Sequence, residues 1–258
     1  MAQFAANITM LFSEVAFLER FERAHKAGFK AVEYLFPYAF EAQVLADKLQ
    51  QFGLEQALFN MPAGDWDAGE RGFAAIPGRE QEFKQSVAIA LDYAAALNCK
   101  KVHAMAGIVN AQFSREQHVD TFIKNIRYAA DTFAKHDIEL MIEPLNNRDV
   151  PHYFIAHQRE AAELIKLIDR PNVKLQLDIY HAAIMDGDLT HLINDLASVT
   201  GHIQIASVPA RHEPSEGEIN YPHIFNVLDE SGYKGWIGCE YNPKNNTEDG
   251  LEWLKPHL

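Results

Sequence analysis

The sequence predicts an α/β fold, a single-domain (β/α)8 TIM barrel that spans residues 1–258. Eight short apolar runs typical of strands alternate with helical stretches along the whole chain, which is the pattern of a closed parallel sheet. The chain length of 258 residues fits this fold, because such barrels use about 250 residues. The apolar share of 48% also provides for a large core.

The first half of the chain contains four predicted strands, at residues 4–10, 31–36, 56–61 and 101–107. Helical patterns follow them at residues 15–27, 41–51, 79–97 and 115–135. Gly28 and Gly53 follow the first two helices, where glycine commonly ends a helix. A long loop at residues 62–78 follows the third strand, and a loop of this length in a compact domain is usually functional.

The second half repeats the alternation, with predicted strands at residues 138–143, 173–179, 201–206 and 235–241. The corresponding helices are predicted at residues 159–168, 189–196, 222–230 and 248–254. A second long loop, residues 207–219, follows the seventh strand. Eight βα units are therefore complete without a linker or a low-complexity segment.

Charge and cysteine content narrow the class of protein. The net charge of −13 argues against nucleic-acid and anionic-membrane partners, because both require a basic surface. The sequence lacks a signal-peptide pattern and a run of about 18 apolar residues, so neither secretion nor a membrane span is expected. Two cysteines, Cys99 and Cys239, are too few for a disulfide framework. We expect a cytoplasmic protein.

The fifth strand is the first to carry a candidate catalytic group. Apolar side chains occupy one face of residues 138–143, and Glu143 ends the other face. Pro144 follows and removes a backbone N–H, which ends the strand. Ligands bind at the carboxyl ends of strands in α/β barrels, so Glu143 is expected at the barrel mouth, the open end of the barrel on that side.

The alternation of side chains extends this expectation to the next three strands. Their aliphatic rows suit packing against the outer helices, so their polar rows point into the barrel. The four inward groups at the strand ends are Glu143, Asp178, Gln204 and Glu240. Carboxylates brought together in this way must take up protons or share a cation. Their oxygen ligands favour Mg²⁺ or Mn²⁺, although an ion-pair network is the alternative.

Three further side chains are candidate substrate-binding groups. His181 follows Asp178 by three residues, and Arg211 with His212 lies in the loop after the seventh strand. They offer proton transfer and positive charge for an anionic substrate. Glu33 and His103 also lie on inward rows, where they either line the mouth or pair with a neighbour.

Several segments between residue 3 and the C-terminus form a specific set: F-A-A-N-I-T-M-L-F, F-P-Y, P-A-G-D-W-x-A-G-E-R-G, I-P-G-R-E, I-E-P, L-D-I-Y-H, G-E-I-N-Y and G-W-I-G-C-E-Y. Together they resemble the hydroxypyruvate isomerase family, one of the xylose isomerase-like barrels. The resemblance implies isomerisation of hydroxypyruvate to tartronate semialdehyde, an aldose–ketose interconversion within carbohydrate metabolism. Glu143 and Glu240 match the paired acid/base glutamates of that family, which uses no organic cofactor.

The resemblance also bears on metal binding and on substrate length. Related ketose 3-epimerases place metal ligands at positions matching Glu143, Asp178, Gln204 and Glu240; the third is usually histidine, so Gln204 departs from the pattern. V-H-A-M-A-G-I-V and V-P-A-R-H-E-P resemble the 2-oxo-tetronate isomerase branch, whereas N-M-P-A-G-D-W and G-E-R-G resemble the three-carbon enzyme. The Arg211–His212 pair favours the four-carbon branch, because it lies where a substrate carboxylate could bind.

The expected reaction removes a proton beside a carbonyl and returns it to the neighbouring carbon through an enediolate. The expected partner is therefore a small anionic hydroxy-oxo acid, bound with Mg²⁺ or Mn²⁺. The sequence is also compatible with a homo-oligomer. The alternatives are a metal-dependent sugar or keto-acid epimerase, a non-catalytic acid-binding barrel, and a zinc endonuclease for abasic DNA. The negative charge and the few candidate histidine ligands count against the endonuclease.

Overall fold

Eight parallel strands close a barrel in chain order, as the sequence predicts. The computed structural model describes residues 2–257. The strands are β1 (Gln3–Asn7), β2 (Ala31–Tyr34), β3 (Glu55–Asn60), β4 (Lys101–His103), β5 (Glu139–Ile142), β6 (Val173–Asp178), β7 (Thr200–Ile205) and β8 (Trp236–Cys239). The helices are α1 (Phe17–Lys26), α2 (Ala42–Phe52), α3 (Glu80–Ala96), α4 (Arg115–Phe133), α5 (Gln158–Ile168), α6 (Ile179–Met185), α7 (Leu189–Leu196) and α8 (Tyr221–Glu230). None of these helices has the length and apolar character to cross a membrane.

β1 and β8 are shorter than the predicted strands at residues 4–10 and 235–241, and three further segments differ from the prediction. α6 was not predicted, because it begins directly at the end of β6 without a turn residue between them. β4 is shorter than predicted, since residues 104–107 leave the strand and pair with the 62–78 loop; the N–H of Ala75 donates to the carbonyl of Ala106 over 2.8 Å. The closing segment, Glu248–His257, is a 3-10 helix rather than an α-helix.

The side chains inside the barrel are apolar at one end and polar at the other. Ala5, Ala31 and Ala57 form a small apolar cluster with Trp236 at the amino ends of the strands. Polar side chains lie above this cluster, and contacts between strands that are not neighbours show that they point inward. The clearest is between Glu33 of β2 and Gln204 of β7, because β1 and β8 separate these strands in the sheet. The predicted inward rows are therefore confirmed for these residues.

Candidate active site

Glu143 follows β5 and is almost fully buried, with an exposed fraction of 5%. Its Oε2 lies 3.6 Å from Nδ1 of His103, and its Oε1 has no hydrogen-bond partner among the described residues. Burial raises the pKa of Glu143 well above its usual value, and the nearby carboxylates of Glu240 and Asp178 add to the shift. A carboxyl group in this environment can carry a proton near neutral pH.

Glu240 follows β8 and shares the mouth with Glu143. Its Oε2 accepts a hydrogen bond from Nη2 of Arg211 at 2.5 Å, and its Oε1 accepts one from Nδ2 of Asn7 at 3.2 Å. Burial raises the pKa of Glu240 to about 8, although the Arg211 charge opposes the shift. Two neighbouring glutamates with raised pKa values can divide acid and base roles between them.

Asp178 ends β6 and caps the start of α6, where its Oδ1 accepts a hydrogen bond of 2.7 Å from the N–H of Tyr180. Its Oδ2 lacks a hydrogen-bond partner in the described part of the chain and lies 3.7 Å from Nη2 of Arg211. Burial raises the pKa of Asp178 to about 6, against the opposing charge of Arg211. The free oxygen therefore faces the same space as the two glutamates.

Arg211 supplies the positive charge at the mouth. It adopts a left-handed backbone conformation with φ of 55°, and its guanidinium lies 4.9 Å from the centre of the Tyr180 ring. Burial alone would lower its pKa, but Glu240 and Asp178 outweigh that effect and raise it. Arg211 is thus held fully charged among carboxylates. Among the ion pairs of the described residues, its guanidinium pairs with Asp149, Asp178 and Glu240 and not with its own loop, where Glu216 binds Lys244 instead.

His181 lies beside Asp178 with its Nε2 atom 3.7 Å from the Asp178 Oδ2. The backbone N–H of Asn146 donates to Nδ1 of His181 over 3.1 Å. Burial lowers the pKa of His181 well below its usual value, and the charge of Arg211 adds to this shift. Because Nδ1 accepts a hydrogen bond, the neutral ring carries its proton on Nε2. His181 thus presents an N–H donor to the mouth.

Gln204 and His212 make other contacts. Nε2 of Gln204 donates to Glu33 over 2.7 Å, and its Oε1 accepts from Nε2 of Gln176 over 2.6 Å. Nδ1 of His212 lies 2.7 Å from the carbonyl oxygen of Asn242. Of the predicted residues, the structure thus brings Glu143, Asp178, Glu240, His181 and Arg211 together. Gln204 is held by Glu33 and Gln176, and the side chain of His212, in the same loop as Arg211, contacts the loop after β8 instead.

The donor atoms at the mouth suit a divalent cation. Ligand atoms of Glu143, Asp178 and His181 all lie within 4.8 Å of one another. Each of the two carboxylates also has one buried oxygen, Glu143 Oε1 and Asp178 Oδ2, that has no hydrogen-bond partner in residues 2–257. Buried polar atoms without a partner are rare, and hard oxygen ligands are those that Mg²⁺ and Mn²⁺ prefer.

Comparison with known proteins decides the family. Residues 21–257 match the family model described as a xylose isomerase-like TIM barrel. The 2-oxo-tetronate isomerase of Pectobacterium atrosepticum is 55% identical over all of this chain and 98% of the relative. The hydroxypyruvate isomerase of Escherichia coli is 48% identical over the full length of both proteins. The chain belongs to the hydroxypyruvate isomerase family. It is an isomerase, as the sequence predicts.

Solved structures place this family member among similar barrels. A structure from Brucella melitensis, titled AP endonuclease, family 2, is 58% identical over all of this chain and 99% of the other, with a TM-score of 0.99. The 3-keto-D-glucoside 4-epimerase of E. coli superposes with a TM-score of 0.82 over 99% of both chains. At 18% identity, that second likeness shows the fold alone.

Three further side chains at the mouth of this isomerase, Asn146, Asp149 and Tyr180, were not predicted as site residues from the sequence. Asp149 accepts hydrogen bonds from Nδ2 of Asn146 at 3.1 Å and from the hydroxyl of Tyr180 at 2.9 Å. It also lies 3.8 Å from Nη1 of Arg211. The sequence did contain a signal: Asn146 and Asp149 lie in the loop directly after β5, and Tyr180 lies two residues after the end of β6. These loops form the mouth in every barrel of this kind.

Proposed function

We propose that this isomerase converts 2-oxo-tetronate into its 3-oxo isomer by moving a proton from C3 to C2 through an enediolate. The observation that carries the proposal is the pair of buried glutamates, Glu143 and Glu240, beside the charged Arg211 at one barrel mouth. A relative 55% identical over the full chain is named 2-oxo-tetronate isomerase, which supports the four-carbon substrate.

Proton transfer needs one ionised and one protonated group near the two reacting carbons. The raised pKa values of Glu143 and Glu240 mean that the pair can retain one proton at neutral pH. The ionised glutamate removes the C3 proton, and its protonated partner delivers a proton to C2. In the enediolate the proton of the C3 hydroxyl passes to the oxygen on C2, so that C3 becomes the carbonyl and C2 carries the hydroxyl, and the step balances without an oxidant.

The remaining groups at the mouth would orient the acid. Arg211 binds the substrate carboxylate by two parallel hydrogen bonds, which fixes which carbons face the glutamates. The N–H at Nε2 of His181 donates to a substrate oxygen on which negative charge develops. Binding of the carboxylate requires Arg211 to give up part of its contact with Glu240, which frees that carboxylate for chemistry.

We also propose that a divalent cation, Mg²⁺ or Mn²⁺, binds at the mouth. Glu143 and Asp178 would hold it with their unpartnered oxygens; Glu240 and Gln204 complete the set that the sequence predicts. The bound ion would stabilise negative charge on the substrate oxygens. Gln204 would offer its amide oxygen, because Glu33 engages its amide nitrogen, and it would give up the hydrogen bond that this oxygen accepts from Gln176.

Metal binding predicts a rise in melting temperature when Mg²⁺ or Mn²⁺ is added, because a ligand of the native state stabilises it. Asp178→Ala should abolish this rise, since it removes one of the two free carboxylate oxygens. Asp47→Ala, a change at an exposed residue of α2, is the matched control and should retain the response. Full activity of the metal-free protein, together with a melting temperature that Mg²⁺ and Mn²⁺ do not change, would contradict the metal proposal.

Substrate choice is tested by following both acids by NMR, with and without Mg²⁺ or Mn²⁺. Hydroxypyruvate and 2-oxo-tetronate share the same first three carbons and differ by one CHOH unit, which a pocket wall must sense. A difference of this size is worth roughly 10- to 200-fold in kcat/KM, and we expect at least about tenfold in favour of 2-oxo-tetronate. A preference for hydroxypyruvate would reassign the substrate, and turnover of neither acid would contradict the proposed function.

Cleavage of abasic DNA is the second candidate function, because the 58% identical structure from B. melitensis is described as an AP endonuclease of family 2. The charge of −13 opposes it, since binding to the phosphate backbone needs a basic surface. Among the described residues, the carboxylate-rich group at the mouth includes one histidine. The test incubates the protein with a DNA duplex that contains one abasic site, in the presence of Zn²⁺ or Mg²⁺. We expect no more cleavage than in the same duplex incubated with the metal and without the protein.

A further inference from the structure

Glu33, at the carboxyl end of β2, is a fully buried carboxylate that lies below the proposed catalytic glutamates. Its Oε1 accepts hydrogen bonds from Nδ2 of Asn7 at 3.0 Å and from Nε2 of Gln204 at 2.7 Å. Its Oε2 lies 2.7 Å from Nε2 of His202, which is also fully buried. One carboxylate therefore gathers three side chains: Asn7 from the neighbouring strand β1, and His202 and Gln204 from β7, across the barrel interior.

Asn7 connects this carboxylate to the reacting groups. Its Nδ2 donates to Oε1 of Glu33 at 3.0 Å and to Oε1 of Glu240 at 3.2 Å. An amide nitrogen has two protons, so one Asn7 side chain can bind both carboxylates at the same time. A change in the position of Glu33 would thus be transmitted to the Glu240 carboxylate.

Glu33 also determines which way the amides of Asn7 and Gln204 point. A carboxylate attracts the amide nitrogen and repels the amide oxygen. The nitrogen of Gln204 is therefore fixed toward Glu33, and its oxygen toward Gln176 and away from the carboxylate. The oxygens of the two amides accept hydrogen bonds from Thr9 and Gln176, so the orientation of each amide depends on Glu33 at its nitrogen and on these donors at its oxygen.

The space for Glu33 is set by Gly238 of β8. A Cβ atom added at Gly238 would lie 2.3 Å from Oε1 and 2.4 Å from Cδ of Glu33. The carboxylate therefore packs directly against the β8 backbone, two residues before Glu240. This contact gives a physical reason for the second glycine of the G-W-I-G-C-E-Y segment.

We infer that Glu33 is a positioning residue: it orients the amides of Asn7 and Gln204, and through Asn7 it holds the Glu240 carboxylate in place for proton transfer. Glu33 itself does not contact the reacting atoms. The kinetic consequence rests on the proposed function, whereas the orientation of the two amides is a property of the barrel interior.

The kinetic test compares Glu33→Ala with Glu33→Gln. Glutamine retains one oxygen that can accept from both amides, and its NH₂ can donate to His202, so it is the conservative variant. Loss of an outer partner of this kind typically costs 10- to 100-fold; we expect Glu33→Ala to lower kcat by about this factor, with KM changed less than about threefold. Glu33→Gln should recover kcat to within about fivefold of the parent, and Glu55→Ala, at the exposed start of β3, should match the parent.

A double-mutant comparison tests the route through Asn7. Asn7→Ala should lower kcat about as much as Glu33→Ala, and the double variant should lose little more, because both changes break one chain of contacts. Gly238→Ala displaces Glu33 from the opposite side and replaces Glu33→Ala if that protein does not fold. The inference would be overturned if the loss of kcat in the double variant equalled the product of the two single losses. A parent-like kcat in folded Glu33→Ala or Gly238→Ala would also overturn it.

A readout independent of turnover separates this inference from the proposed function. The side-chain amide signals of Asn7 and Gln204, assigned by their loss in Asn7→Ala and Gln204→Ala, should show slow hydrogen exchange in the parent by ¹H–¹⁵N NMR. We expect that protection to be lost in Glu33→Ala and retained in Glu33→Gln. If the parent turns over neither acid, the proposed function fails while these signals still test the positioning. Protection that is unchanged in Glu33→Ala would overturn it.

Discussion

Replacing Glu143 or Glu240 by glutamine is expected to leave the barrel folded and to lower turnover by at least about 10²-fold, the usual scale of general acid/base catalysis. Glutamine retains the shape of the side chain but can neither remove nor deliver the substrate proton. Both positions are buried carboxyls with raised pKa values, so the substitution also removes a buried charge. Glu143→Gln should therefore retain the stability of the parent, whereas Glu240→Gln also loses the ion pair with Arg211 and should melt at a lower temperature.

The measurement is kcat and KM for both variants on 2-oxo-tetronate and hydroxypyruvate, together with a melting curve for each protein. Glu213→Gln is a matched control, because Glu213 is also a buried glutamate but binds the backbone N–H of Lys244. A near-parental rate in either variant would remove that glutamate from the mechanism.

Substitution of Arg211 is expected to give the second large effect. Hydrogen bonds to charged groups are worth about 1.5–3 kcal/mol, so Arg211→Ala should lower kcat/KM by roughly 10- to 100-fold. The anionic substrate would also meet Glu143, Asp178 and Glu240 without an opposing charge. Arg211→Lys keeps the charge but loses the planar fork, so we expect weaker binding together with slower turnover, less severe than in Arg211→Ala.

Kinetic constants on both acids test this prediction. A rise in KM with unchanged kcat would show that Arg211 binds the carboxylate without orienting the reacting carbons. Lys244→Ala provides a control, since Lys244 is a cation that pairs with Glu216 near the Arg211 loop. Unchanged constants for both Arg211 variants would remove it from substrate binding.

The fold and much of the mouth could be predicted because they depend on local patterns. The period of two along each strand fixed the inward direction of Glu33 and Gln204, and Pro144 marked the end of β5. The pairing of Arg211 with Glu240 could not be predicted, because it joins residues 29 positions apart through a loop in which Arg211 has a left-handed conformation.

Gln204 illustrates the same limit. Its inward direction followed from the strand pattern, but its partner Glu33 lies 171 positions away on another strand. Which of two inward groups a side chain binds depends on barrel register and on the space left by Gly238. Neither quantity is encoded in a short segment of sequence.

Running the isomerisation in D₂O is the sharpest test of proton transfer between Glu143 and Glu240. If one glutamate removes the C3 proton and the other delivers a different proton to C2, the product should carry solvent deuterium at C2. Proton NMR of the first turnovers, before product accumulates, measures this fraction on 2-oxo-tetronate. We expect deuterium at C2 in most product molecules. Product that forms at the normal rate with no deuterium at C2 would instead indicate direct transfer of hydrogen between the carbons and would contradict the account.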